Sequence, residues 1–203
     1  MNRVPLLYIG VLFTVVFSFA GLALIPERQL GGIEPLVNED GTVYPVEPSG
    51  QVEHGRRIYI ANGCIYCHSQ QVRPEGFGAD IDRGWGTRRT VARDHIFDQP
   101  PLLGTMRTGP DLANIGVRQP SEDWHLLHLY NPQITSPGST MPAFAFLFEE
   151  LELGIERPHD ALDFPPEWDP GENVVIVPTA DAKALVAYLK SLNASHPVPE
   201  VPQ

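Results

Sequence analysis

From Val4 to Ile25 the chain reads VPLLYIGVLFTVVFSFAGLALI, 22 residues without a charge. Inside a bilayer, backbone N–H and C=O groups have no water to bond and must satisfy one another, which a helix does within one segment. At about 1.5 Å per residue the run spans a hydrocarbon core of roughly 30 Å. A cleaved signal peptide, with Gly21 and Ala23 at its cleavage site, would have an apolar stretch of about 7–15 residues and a more basic start than Arg3 alone provides. Residues 1–27 are therefore read as a retained anchor. The positive-inside rule places the amino terminus in the cytoplasm, so the rest of the chain lies across the membrane.

The 203 residues carry 14 basic and 25 acidic side chains, a net charge of −11. Such a chain repels a phosphate backbone, which excludes nucleic acid as a partner class and suits a basic protein instead. Residues 28–50, rich in proline and glycine, read as a linker. Gln51 to Gly63 reads as a short helix ended by glycine. Val72 to Pro120 shows no helical period, and so long an irregular stretch inside a domain points to a binding role. Its Arg83, Arg88, Arg89 and Arg93 read either as a basic patch or as a solvated loop. Ser121 to Tyr130 reads as a helix capped by Ser121, with Trp124, Leu127 and His128 on one face. Residues 149–172 hold nine acidic residues against one basic residue, Arg157, and read as an exposed acidic insertion. Thr179 to Leu192 is the last helix, with Leu185, Tyr188, Leu189 and Leu192 as its apolar stripe. The tail, 196–203, reads as flexible. The fold class is mainly α: one transmembrane helix, then a domain over 51–195 of short helices held by long loops. Its apolar content is low, so something else must fill its centre.

The only two cysteines, Cys64 and Cys67, lie three apart, and His68 follows at once. A disulfide between them would close a ring too small to stabilise much by chain entropy. A redox dithiol belongs in a βαβ pattern, which is absent. A zinc site would need two more ligands. His125 and His128 are three apart, tighter than the usual spacing, and read as packing and hydrogen-bonding groups. The remaining chemistry uses all three residues: two thiols add to the two vinyl groups of one haem, and His68 is held beneath the iron as proximal ligand. C-x-x-C-H is the signature of c-type haem attachment. A thioether as sixth ligand would close the site and favour electron transfer. Met141 lies in PGSTMP, where Pro137 and Pro142 stiffen a loop. Met106, beside Arg107, is the second candidate, ahead of His95, His125, His128 and His159.

Four segments, GCIYCHSQQVRP, RTGPDLANIG, WHLLHLYNP and STMPAF, resemble in this order subunit II of cbb₃-type cytochrome c oxidases, the FixO/CcoO family. The resemblance implies a class I-like mono-haem cytochrome c domain on the periplasmic side of a bacterial inner membrane. It implies a catalytic partner subunit with haem b and a haem–copper centre, where oxygen is reduced and protons are pumped. A di-haem cytochrome subunit or a soluble cytochrome c would be the donor, and the chain itself would carry electrons without an active site of its own. By position, Cys64 and Cys67 hold the haem, His68 and Met141 are the axial ligands, and Arg107 and Pro110 lie near the haem edge, Arg107 as a propionate partner. The small subunit of nitric oxide reductase has the same plan and is the alternative.

Overall fold

The computed structural model describes residues 3–154 and 156–201. The first two residues of the expected anchor, position 155 of the acidic segment and the last two residues of the tail lie outside that range. The fold is mainly α. Two compact units are present: residues 1–46 with 92–96, and residues 47–91 with 97–203.

The first unit begins with helix α1, Val4–Leu30, 27 residues long and long and apolar enough to cross a membrane. It runs three residues past the expected anchor boundary because Pro26 does not stop it. Proline lacks an N–H and crowds the carbonyl four residues back. One widened turn, Ala20–Leu24, absorbs the defect, with the Ile25 N–H reaching back to the Ala20 carbonyl. The expected linker is also more ordered than its composition suggests. Strands β1, Leu36–Val37, and β2, Val43–Tyr44, pair antiparallel, and Gly41 takes a left-handed φ of 81° in the turn between them. Tyr44 is buried, and its hydroxyl donates to Asp94 at 2.7 Å. Arg93 donates to the Glu34 carbonyl.

In the second unit, helix α2, Gly50–Ala61, is capped by Ser49, and the carboxy-terminal helix α6, Ala180–Ser191, by Thr179. The two cross at Gly55, where an added Cβ would lie 1.9 Å from the Ala184 carbonyl oxygen. A second close approach comes from the short helix α3, Ile115–Arg118. A Cβ on its Gly116 would lie 2.1 Å from the Lys190 carbonyl oxygen. Helix α4, Glu122–Tyr130, capped by Ser121, and helix α5, Pro132–Thr135, complete the helical frame. The core gathers Tyr59, Leu126, Leu129, Leu185, Tyr188 and Leu189. Each fully buried side chain of this size contributes about 1.5–3 kcal/mol.

Two readings of this unit change. The acidic segment opens with a strand: β3, Phe148–Glu152, pairs antiparallel with β4, Val174–Pro178. The buried run Val175, Ile176 and Val177 needs a neighbour, and β3 serves as an edge strand whose glutamates face solvent. The arginines of the irregular stretch are not one surface patch. Arg88 is buried and donates to the His196 carbonyl at 2.7 Å, and Arg89 donates to the Glu200 carbonyl at 3.0 Å. They hold the tail down as far as it is described, with Val198 buried beneath it. Arg83 stands over the Trp85 ring, 5.1 Å from its centroid.

Candidate functional site

Helix α2 ends at Asn62, and Gly63 turns left-handed at φ 68°. The chain then makes one 3₁₀ turn, Cys64–Tyr66, with the Cys67 and His68 N–H groups both bonded to the Cys64 carbonyl. This turn delivers Cys64, Cys67 and His68 together to the wall of a cavity of about 650 Å³. That volume lies within the roughly 300–1,000 Å³ range of cofactor sites. Both thiols are free rather than joined to each other. Burial pushes the Cys64 thiol up to about 11. Among the described residues no group of three or more His, Cys, Asp or Glu side chains is placed to hold a metal ion.

The segment Gly109–Leu112 runs beside this turn. Gly109 donates its N–H to the Cys67 carbonyl at 3.0 Å, and Leu112 to the Ser69 carbonyl at 2.8 Å. Between them, His68 Nδ1 lies 2.8 Å from the Pro110 carbonyl oxygen. A carbonyl only accepts, so Nδ1 carries the proton and Nε2 keeps its lone pair for a metal. Gly109 is required by contact: a Cβ there would lie 2.2 Å from His68 Cε1. Burial pushes the His68 pKa below its usual value, so the ring is neutral at pH 7.

Met141 lies in the same cavity wall. Its loop is set by hydrogen bonds from neighbouring polar groups. Gln133 accepts from the Gly138 N–H at 2.8 Å and donates to the Ser139 carbonyl, and Ser139 Oγ accepts from the Met141 N–H at 3.2 Å. Met106 is 53 % exposed and outside the wall. His95 and His159 are outside it too, whereas His125 and His128 lie within it. His125 Nε2 donates to the Gln119 carbonyl at 2.8 Å. His128 stacks on Trp124 with 4.6 Å between centroids, and its Nδ1 meets Thr135 Oγ1 at 2.5 Å. Burial first, then neighbouring His68 and His125, pushes the His128 pKa down to about 4.

Arg107 does not reach the cavity. Its guanidinium bonds Asp80 at 2.6 Å, Ser69 Oγ at 2.8 Å and the Gln71 carbonyl at 2.6 Å, behind the wall. Asp80 is buried and also takes both side-chain bonds from Arg73. Arg107 is thus spent on an internal carboxylate. The cation in the wall is Arg118, which sequence reasoning missed. Among the described residues it is the only lysine or arginine there, and none of them that lines the cavity is an aspartate or glutamate. One Nη donates to the Asp111 carbonyl at 2.5 Å, while Nε is buried without a partner. Burial pushes the Arg118 pKa down, as expected of a cation short of compensation. Arg118 stands one turn beyond Ile115 on α3. The signal that could have found it is the arginine that ends the short turn ANIGVR, residues 113–118, close after the Pro110 that holds His68.

These residues fit a haem. An apolar cavity, two thiols at one wall, a neutral imidazole with a free Nε2, a thioether and one uncompensated cation match an apolar macrocycle with vinyl groups, a central metal and carboxylates. The family model described as cytochrome C oxidase, mono-heme subunit/FixO matches residues 2–164. No curated protein matches the chain.

Proposed function

Because the chain belongs to the mono-haem subunit (FixO) family of cytochrome c oxidases, we propose that it relays electrons through one covalently held haem c to a catalytic subunit carrying haem b and copper. The family makes the chain a haem-bearing part of an oxidoreductase complex, and α1 makes it membrane-anchored. The finer assignments are ours. Cys64 and Cys67 would hold the haem through thioethers, each S–H adding across a vinyl group with no oxidant required. His68 would ligate the iron through Nε2, and Met141 through its thioether sulfur. Arg118, in place of Arg107, pairs with a haem carboxylate. Pro110 lies at the cavity wall and holds the His68 proton. The soluble domain faces the periplasm and takes electrons from a di-haem subunit or a soluble cytochrome c.

When bound, haem supplies a one-electron couple. The chain's own residues do the rest. His68 and Met141 would hold the haem iron from its two faces and so would leave no position for substrate. Leu112, Ile115, Leu129, Leu185 and Leu189 exclude water from the site. The observation that carries the reading is the Pro110–His68 hydrogen bond, because it fixes the tautomer that a metal ligand needs.

Purification of the full complex through this chain tests the proposal. A partner holding haem b and copper, with one covalent haem c on this chain, is the expected result. A partner with non-haem iron beside its haem would move the assignment to the nitric oxide reductase plan.

A further inference from the structure

We propose that Asp111 is a positioning residue for the proximal ligand, setting how strongly the His68 imidazole donates to iron through its hold on the Pro110 carbonyl. The proposal rests on the reading of His68 as that ligand. Asp111 is 0 % exposed. Its Oδ2 accepts from Ser69 Oγ at 2.5 Å and from the Gln71 N–H at 2.8 Å, and its Oδ1 accepts from the Ala113 N–H at 2.8 Å. Arg107 Nη2 stands 3.7 Å from Oδ2.

Ser69 and Gln71 lie just after His68 in the chain, and Asp111 follows Pro110 directly. One carboxylate therefore ties the two stretches between which the Nδ1–H to carbonyl bond runs. The Pro110 carbonyl and the Asp111 N–H belong to one peptide plane, so fixing Asp111 fixes the direction of that carbonyl. The next plane is held as well, because the Asp111 carbonyl accepts from Arg118. Hydrogen bonds to a charged acceptor in a buried setting are the strong ones, and they rigidify what they join. A firmly held acceptor on Nδ1 makes the imidazole a better donor, which stabilises the ferric state. Loosening it raises the reduction potential.

The test uses the full-length haem-loaded protein with Asp111→Asn and Ser69→Ala. Two quantities are read: the reduction potential, and the exchange rate of the His68 Nδ1 proton by NMR. Asparagine keeps the size of the side chain but turns an NH₂ toward N–H donors. Serine to alanine removes one donor to Asp111, together with one acceptor for Arg107, and leaves the charge. The expected result is a raised potential in both variants, with Nδ1 exchange faster by about tenfold in Asp111→Asn, the effect of one lost hydrogen bond, and by less in Ser69→Ala. A raised potential with unchanged exchange would mean that Asp111 acts by charge alone and would overturn the proposal, as would no change in either quantity. Should Asp111→Asn fail to load haem, Ser69→Ala decides by the same two readings. A wild-type protein whose His68 proton shows no shift from iron would sink the ligand assignment itself, and the proposal with it.

Discussion

The cavity wall that carries His68 is held by charge, and the wall that carries Met141 is not. Behind His68, Asp80 and Asp111 are buried and bonded by Arg73, Arg107, Ser69 and three backbone N–H groups. From Tyr130 to Phe148, by contrast, the sequence has no charged residue. There Asn131, Gln133 and Ser139 shape the loop with neutral hydrogen bonds. Charge-assisted bonds are roughly twice as strong as neutral ones. The wall behind His68 is thus the more firmly held of the two. The loop that carries Met141 rests on neutral bonds, with proline and side-chain amides limiting its freedom.

The comparison is broken most directly by Arg107→Gln. It strips Asp80 of one of two guanidinium partners, and a broken buried pair costs about 3–5 kcal/mol. Because Arg73 remains, a loss of about 3 kcal/mol in denaturant unfolding is expected. A loss below about 1 kcal/mol would make the network a surface feature. Gly109→Ala comes next. The added Cβ overlaps His68 Cε1, and such overpacking costs about 1–3 kcal/mol; weakened haem loading, measured by the haem-to-protein ratio, should accompany it.

On the other wall, Met141→Ala should leave the covalent haem in place while the low-spin methionine-ligated spectrum is lost and the potential falls. An unchanged spectrum would move the ligand to another residue. Arg118→Gln separates the two arginines. It should cost the haem-free domain about 1 kcal/mol, the worth of the hydrogen bond to the Asp111 carbonyl, and lower the potential of the loaded protein. It should also raise the pH at which the haem carboxylate titrates, because the carboxylate loses its cation.

The smallest effect is acid sensitivity. Burial alone would raise the Asp80 pKa, but hydrogen bonds from Arg73 and Arg107 overcome it and hold the carboxyl at about 2. Its folded pKa is below the unfolded value of about 3.9. The stability it contributes is therefore complete above about pH 4 and is lost as pH falls toward 2. Asp80→Asn should flatten the stability curve in that window, read by unfolding at successive pH values.

Parts of this molecule were legible because their causes are local. Ser121 and Thr179 cap helices by side-chain bonds to an N–H three residues on, a pattern visible in any sequence. Cys64, Cys67 and His68 meet because one turn brings them together. The β3–β4 pair was hidden because the glutamates of β3 masked its single inward residue, Phe148. The tail looked free because the arginines that hold it stand more than a hundred residues earlier.

The sequence by itself determined the apolar amino-terminal helix and the turn that gathers Cys64, Cys67 and His68, since an uncharged run and a five-residue spacing act within one helix or one turn. Only the tertiary structure decided between Arg107 and Arg118. Both flank Pro110 in the chain, but the path through Gly109 and Asp111 turns one toward a buried carboxylate and the other into the cavity. That choice depends on where Asp80 and helix α6 lie, and neither position is written in the spacing of the arginines.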